Sequence, residues 1–570
     1  MKTDTVVGID LGTTNSSVAV LKDGTPTVLV DGDDGLVPSC VGLDTANGII
    51  VGRQARNQAV VFPDRTVLSV KRRMGTQDRF SLGDTEYSPQ QISAFILKDL
   101  VARAERSLGC EVDRAVITVP AYFTDAQRKA TREAGELAGL QVERIINEPT
   151  AASLVYDAGS EGNTKVLVYD LGGGTFDVSV VVSERGVVEV LSTAGNNRLG
   201  GDDFDAKIVE RLNEHLVSET GDKSLRTDRH VQARLLHAAE GAKCKLSFAP
   251  YVMVEEDNLA NVNGRTVNLS YELSRHHFES DIADLLQSTL TEVSKAMSDA
   301  GLRPKDLDSV LLVGGSTRIP RVSTILKEHL AVDLHGEVDP DRCVALGAAM
   351  QGGVEAGLDV SSVLVDITPY TFGTSAVAEM DGALSPYRFV PIIPRNSKIP
   401  ITKSDLFFTL FPEQKLVDVD IYQGEHKDVR RNTRLYSVKF EGLNKTQNAH
   451  RDGILFTYTL NVDGILEFSA RERGTGKEIS GRVEDALAAR PATEDDPIGL
   501  DLPASDAGAG GDTTKELLER AQAALAKAPE EDLSEIQRLI QELKKATKRG
   551  QQSRVDELAG ELAELLFFIE

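Results

Sequence analysis

Apolar residues along this chain follow three successive patterns. Up to residue 361, short apolar runs stand between amphipathic stretches. Val6-Val7-Gly8-Ile9, Ser17-Val18-Ala19-Val20-Leu21, Val166-Leu167-Val168, Val178-Ser179-Val180-Val181-Val182 and Val310-Leu311-Leu312-Val313 read as strands. Ile92, Phe95, Ile96 and Leu100 recur at helical spacing within residues 89–108. Thr124, with Gln127 three residues on, forms a capping-box pattern, and the helix it opens is expected to end near Gly139. From residue 367 to about 479 helical spacing stops. Short runs at 406–411, 416–422, 435–440, 454–460 and 465–470 alternate with turns and predict an all-β sandwich. Asp463-Gly464 predicts a two-residue hairpin. Residues 491–512, rich in Asp, Pro, Ala and Gly, read as a flexible linker. Three amphipathic stretches follow at 515–526, 532–548 and 555–568 and predict a small helical bundle.

At 570 residues the chain exceeds what one core serves, so several domains are expected. A net charge of −25 argues against nucleic acid or an anionic membrane as partner, because both need a basic surface. Cys40, Cys110, Cys244 and Cys343 stand far apart without Cys-x-x-Cys spacing, as expected of small hydrophobes in a reducing cytoplasm. The N-terminus leads straight into a strand without a signal-peptide pattern, and no stretch has the length and apolarity of a membrane span.

The candidate chemistry gathers at two turns. Tyr169-Asp170-Leu171-Gly172-Gly173-Gly174-Thr175-Phe176-Asp177 places carboxylates at both ends of a glycine turn between two strands. Such a turn can offer amide N–H groups to a phosphate while its acids orient a metal ion or water, or it can be an ordinary hairpin turn. Asp10-Leu11-Gly12-Thr13-Thr14-Asn15-Ser16 repeats the design: strand, Asp-Leu-Gly, small hydroxylated residues, strand. Two such turns suggest related lobes gripping one nucleotide from opposite sides. No Walker-type G-x-x-x-x-G-K-[ST] pattern occurs. Lys71, heading Lys71-Arg72-Arg73, is either solvated surface or a group that reaches a γ-phosphate. Glu148, before Pro149 at a helix start, either complements the helix dipole or serves catalysis.

Residues 9–16, 118–123, 147–152 and 169–177 resemble the signature motifs of the seventy-kilodalton heat-shock chaperones of the DnaK type. Actin and sugar kinases share the two-lobed fold but not this full set. The resemblance is specific from about residue 4 to about residue 480 and loose beyond. It implies an α/β actin-like two-lobed ATPase (1–361), an interdomain linker (362–366), an all-β peptide-binding sandwich (367–490), the flexible linker (491–512) and a helical lid-like bundle (513–570). By this resemblance Asp10, Glu148 and Asp170 would hold Mg2+ mostly through water. Asp177 with Asp10 would place K+ and the attacking water, and Lys71 would orient that water. Thr13 and Thr175, with the amides of Gly12, Thr14, Gly172, Gly173 and Gly174, would bind the phosphates of ATP or ADP. Gly200 and Gly201 form a further glycine element. Glu240, Lys243 and Ser247 would contact the ribose and base, Gly314 and Gly315 would approach the nucleotide, Arg318 would lie against the base, and Asp341 would be the nearby acid.

The resemblance extends to the second half through Pro400, Gln423-Gly424-Glu425, Asp463-Gly464-Ile465-Leu466 and Gly476-Lys477-Glu478. It implies a pocket for an extended hydrophobic peptide lined by Phe407, Val417 and Val419, with Thr374, Val377 and Leu410 at its rim. Alternating apolar residues of this kind also form sandwich cores. Val363, Leu364, Val365 and Asp366 would dock on the ATPase when ATP is bound. Pro120 and Arg128 would relay nucleotide state, and Arg144 and Asn147, with the linker, would meet a J-domain co-chaperone. A nucleotide-exchange factor, unfolded polypeptide clients, a monomeric state and a cytoplasmic location complete the expectation. The chain departs from the family pattern at Cys244, Asp339, Arg342 and Cys343 and in a short segment between Met74 and Pro89, and its departures at Ser362, around Thr374 and in a reduced tail suggest a specialised bacterial paralogue. The alternatives on the same fold are an ATP-binding exchange factor and a small-molecule kinase.

Overall fold

A computed structural model describes residues 5–32, 35–157, 163–332, 334–335, 339–360, 363–380, 383–410, 414–443, 453–482, 490–491 and 537–545. The chain divides into two units, 1–496 and 497–570. In the second, residues 537–545 are helical. The remainder of the expected helical bundle, the expected linker beyond Pro491, and Ser362 lie outside the described residues.

The first unit contains one strand plan used twice. In the first copy, Val6–Asp10, Asn15–Lys22 and Thr25–Val28 form an antiparallel meander. Arg114–Val119 and then Gln141–Asn147 add in parallel on the open side of Val6–Asp10. In the second copy, Thr164–Leu171, Phe176–Glu184 and Val187–Asn196 form the meander. Ser309–Val313 and then Leu334–His335 add in parallel. The turn repeat seen in the sequence is therefore the head of a repeated half-domain. Each sheet has its own core. One contains Ile9, Val18, Ile96, Leu100 and Ile117, the other Tyr169, Phe176, Phe204, Leu235 and Val293.

A third apolar cluster joins the two sheets through the helices Glu148–Asp157 and Cys343–Glu355. These helices touch backbone to backbone, since a Cβ on Gly347 would collide with the Ala151 carbonyl. Mixed sheets with helices, paired in this way, fit a two-lobed ATPase. Strand boundaries follow the apolar runs closely because these strands are buried on both faces. The capping box at Thr124 and Gln127 is present and opens the helix Asp125–Leu137.

Residues 363–491 contribute two antiparallel sheets. One comprises Ala383–Ile393, Phe372–Met380, Leu416–Gln423, Thr433–Glu441 and Arg490–Pro491; the other comprises Ile401–Phe407, Ile454–Leu460, Leu466–Glu472 and Glu478–Arg482. Phe372, Ile421 and Phe440 from the first share a core with Phe456, Tyr458 and Phe468 from the second. Two expectations change. The strand expected at 406–411 is Ile401–Phe407, in which Thr402, Lys403, Ser404 and Asp405 are polar and exposed, and which pairs through the main chain with Ile454–Leu460. Asp463-Gly464 lies in a hairpin, but five residues separate Leu460 from its partner Leu466, so the turn is wider than two residues. Asn461 closes it by accepting from the Asp463 and Ile465 amides.

The expected linker is a strand. Val363–Ile367 pairs in parallel with Val187–Asn196 of the second ATPase sheet and antiparallel with Lys398–Ile399. The boundary between the ATPase and the β region thus runs through a hydrogen-bonded element.

Candidate active site

The two glycine turns meet head to head. A Cβ on Gly173 would collide with Thr14 Oγ1, and one on Gly174 would press on Thr13. Only residues without a side chain let the turns approach this closely. The turns are braced from behind. Ser39 Oγ donates to the Gly12 carbonyl at 2.8 Å and Ser316 Oγ to the Gly172 carbonyl at 2.9 Å. The amides of Gly201 and Asp202 donate to Gly172 and Gly173 at 3.0 and 2.7 Å. Beside the meeting point lies a cavity of about 310 Å³. Asp10, Lys71, Glu148, Asp170 and Thr175 stand at one part of its wall, and Glu240, Lys243, Ser247, Arg318 and Asp341 at another. Gly12, Thr13, Thr14, Gly172, Gly173, Gly314 and Gly315 also line it. Gly174, Gly200 and Gly201 stand behind this lining, and Cys244 is part of it.

Lys71 is 4% exposed and forms an ion pair with Glu148, so it is not a solvated surface lysine. It sits in the short turn Val70–Arg73, directly after Ser69 in the left-handed region with φ 50°. Asp10 accepts from Thr118 Oγ1 at 3.3 Å. Burial and the nearby Glu148 carboxylate push the Asp10 carboxyl up to about 7. Asp177 lies behind the cavity, 1% exposed, and accepts from the Tyr122 amide at 3.0 Å. Burial, with Glu148 again, pushes it up to about 7. Asp170 is raised well above the usual carboxylate range by burial and by the carboxylates of Glu148, Asp177 and Asp10.

Asp170 Oδ2 is buried without a partner. Four carboxylates facing one lysine fit a bound cation, which would satisfy that oxygen and relieve their repulsion. Among the described residues no group of three or more His, Cys, Asp or Glu side chains could hold a metal ion directly. The donor set therefore suits an ion that keeps much of its water. On the far wall, Arg318 donates to Asp341 at 2.7 and 3.2 Å and to Asp339 at 3.0 Å. Lys243 donates to Asp205 at 2.7 Å, and Arg56 pairs with Glu240.

The remaining expected site residues fall in two places. Pro120 is buried. Arg128, 4% exposed, donates to Asn147 at 2.6 Å, to the Ala121 carbonyl at 3.0 Å and to the Asp463 carbonyl at 3.4 Å. Asn147 donates to Asp366 at 2.9 Å, and Arg144 pairs with Glu355 at 3.9 Å. Val363 is exposed, while Leu364 and Val365 are half-buried. In the β region, Phe407 and Val417 are half-buried against the core shared by the two sheets, and Val419 belongs to it. Val377 is half-buried and Leu410 exposed. Thr374 is not at a rim. It is 1% exposed and donates to the Asp420 carbonyl at 2.7 Å, because its strand pairs centrally with Leu416–Gln423.

Several residues that join the two regions carried no functional signal in the sequence. Asp463 pairs with Arg132 and accepts from the Ile145 amide at 2.9 Å. Asp125 accepts from the Leu466 amide at 2.9 Å. Tyr370 packs against Tyr122 with the rings tilted by 46° and centroids 4.7 Å apart, and donates to its carbonyl at 2.8 Å. Arg395 pairs with Asp299 at 2.6 Å and Lys398 with Glu189 at 2.6 Å. Asp463 already reads as a turn residue in the sequence, and Asp125 sits in the first turn of the helix Asp125–Leu137, so only the fold reveals that each also ties the two regions together.

A family profile described as "Hsp70 protein" matches residues 6–566. "Chaperone protein DnaK" of Thermotoga petrophila is 45% identical over 487 residues, covering 84% of this chain and 80% of the relative. "Chaperone protein DnaK" of Thermosipho melanesiensis is 44% identical over 492 residues, covering 84% and 81%.

Proposed function

The chain belongs to the Hsp70 family and is an ATP-dependent chaperone and ATPase, and on that premise we propose that the cleft between the two glycine turns is where it hydrolyses ATP. The observation that carries this reading is the head-to-head contact of the turns beside buried carboxylates and the buried Lys71. The Gly12–Thr14 and Gly172–Thr175 amides and the Thr13 and Thr175 hydroxyls hold the phosphates. Asp10, Glu148 and Asp170 hold hydrated Mg2+, and Asp10 with Asp177 holds K+; the bound cations supply neutralisation of phosphate charge. Lys71 orients the attacking water and stabilises developing charge, the kind of contribution phosphoryl transfer needs most. Glu240, Lys243, Ser247 and Arg318 hold the adenosine, with Asp341 and Asp339 fixing the Arg318 guanidinium.

The β sandwich binds an exposed hydrophobic segment of an unfolded polypeptide, with Phe407, Val417 and Val419 forming the pocket and Val377 and Leu410 its edge. Nucleotide state reaches it by a short route. The Tyr122 N–H donates to Asp177 and its carbonyl accepts from Tyr370, so one residue touches both the hydrolysis site and the sandwich. Arg128, Asn147 and Asp366 form a second route. The functional divisions are those expected at 361, 366, 490 and 512. A J-domain protein meeting Arg144, Asn147 and the 363–366 strand, a nucleotide-exchange factor, a monomeric state and a cytoplasmic setting complete the proposal. No helix among the described residues is long and apolar enough to cross a membrane.

The deciding experiment measures ATP turnover with and without an unfolded hydrophobic peptide, and peptide release with and without ATP. Peptide-stimulated turnover and ATP-driven release are expected. Turnover indifferent to peptide, with release indifferent to ATP, would overturn the coupling.

A further inference from the structure

Behind the phosphate turns lies a second cavity, of about 410 Å³, larger than the proposed nucleotide cavity. One wall comes from the helix Arg53–Ala59 and the segment 60–69 after it; the other comes from the helix Arg229–Leu246. Leu68 and Leu236, one from each wall, are 41% and 39% exposed. Val60 and Pro63 extend the apolar lining. The Arg56–Glu240 ion pair joins the two walls. Asp205, also on the lining, is 4% exposed. Its Oδ2 accepts from Lys243 at 2.7 Å, but Oδ1 is buried without a partner. A buried acceptor of this kind favours a ligand that brings a donor.

We propose that this cavity is a second small-molecule site, taking a flat, mostly apolar molecule that carries one N–H or O–H donor. The apolar body lies between Leu68 and Leu236, and the donor satisfies Asp205 Oδ1. Thr13 and Thr14 line both this cavity and the neighbouring one. A ligand here touches the phosphate turn and both lobes at once, so its binding is linked to nucleotide binding, and by linkage the effect is reciprocal. It holds the lobes together and slows ADP release. That regulatory consequence rests on the neighbouring cleft being the nucleotide site; the binding site itself does not.

The test uses the full chain with saturating Mg2+ and ADP, and indole as the probe. Methyl NMR of leucine-labelled protein reads where the probe sits, and release of a fluorescent ADP analogue reads its effect. Indole is expected to shift the Leu68 and Leu236 methyls while ADP stays bound, and to slow ADP release at least threefold. 1-Methylindole, which lacks the donor, is expected to bind at least tenfold more weakly. Ala233→Phe, at a lining position of the helix Arg229–Leu246 where the ring fills the cavity, is expected to abolish both shifts, and Leu236→Glu, which makes the wall polar, to abolish the Leu68 shift, each leaving ATP turnover within about twofold of wild type. No shift, shifts confined to the nucleotide cleft or the sandwich, or displacement of indole by ADP overturns the site. Equal binding of 1-methylindole overturns the role of Asp205. Failure of ADP to bind in the same sample would count against the nucleotide reading instead, and the Leu68 and Leu236 shifts would still decide the cavity.

Discussion

The glycine turns and the β region place the chemistry proposed for them in different kinds of group. The role proposed for the turns uses mostly main-chain amides and short side chains, held at one meeting point by contacts only glycine permits. The peptide pocket proposed for the β region rests on apolar side chains that also build the core, so Val419 belongs to the core as well as to the expected pocket. Chemistry written in glycines, acids and a lysine stands out from the fold around it. Chemistry written in valines and phenylalanines does not. Between the two, a band of polar contacts from Asp125, Asp463, Tyr370, Arg395 and Lys398 belongs to neither pattern.

The contrast is broken most sharply at the hydrolysis site. Lys71→Ala is expected to bind ATP yet lose on the order of three decades in single-turnover hydrolysis, about 4 kcal/mol of barrier. Peptide affinity without nucleotide should be unchanged. Turnover near wild type would remove Lys71 from the mechanism. The joining band should show the reverse. Asp463→Ala leaves the buried Ile145 N–H and Arg132 without their partner, a cost of about 3 kcal/mol to the docked arrangement. A distance probe between the lobes and the sandwich should report separation, with ATP no longer accelerating peptide release while ATP binding persists.

The acids of the cleft give a pH signature of intermediate size. Asp10 and Asp177 titrate at about 7 in the folded chain, against 3.8 for the ordinary carboxyl. Between those values the folded chain holds protons that the unfolded chain has released. Without nucleotide, stability should therefore fall as pH rises from about 4 to about 7, and level off above. Binding of Mg2+ and ATP favours the ionised acids, so it should release protons near pH 6 and weaken as pH drops further. Calorimetry in buffers of different ionisation heat measures this, and the absence of proton release at pH 6 would contradict it. The smallest change is Tyr370→Phe, which removes one hydroxyl from the Tyr122 carbonyl. A shift of about 1 kcal/mol, or roughly fivefold in the docked fraction, is expected, with the resting hydrolysis site intact.

How much could be read in the sequence follows the same division. Both glycine hairpins were legible because each is local: the strands flank the turn directly, and Asp170 faces Asp177 in register. Lys71 left two readings open, because its partner Glu148 lies 77 residues on and only the fold brings them together. The strand Ile401–Phe407 was misplaced because its exposed face is polar and its pairing is main-chain. Thr374 was set at a rim because nothing local reveals that Asp420 accepts its hydroxyl. Asp463 was legible as a turn and illegible as a tie between regions. A single side chain had two partners, and only one was near in sequence.

The repeated strand plan has a consequence for how such a site can arise. Each half supplies one hairpin head, and the cleft belongs to the seam between halves rather than to either. One half arranged with a copy of itself about a two-fold axis would already bring two such heads face to face. Joining the copies in one chain releases them from identity. The first turn then closes with Asn15 and Ser16, the second with Phe176 and Asp177, so a symmetric grip becomes a directional one.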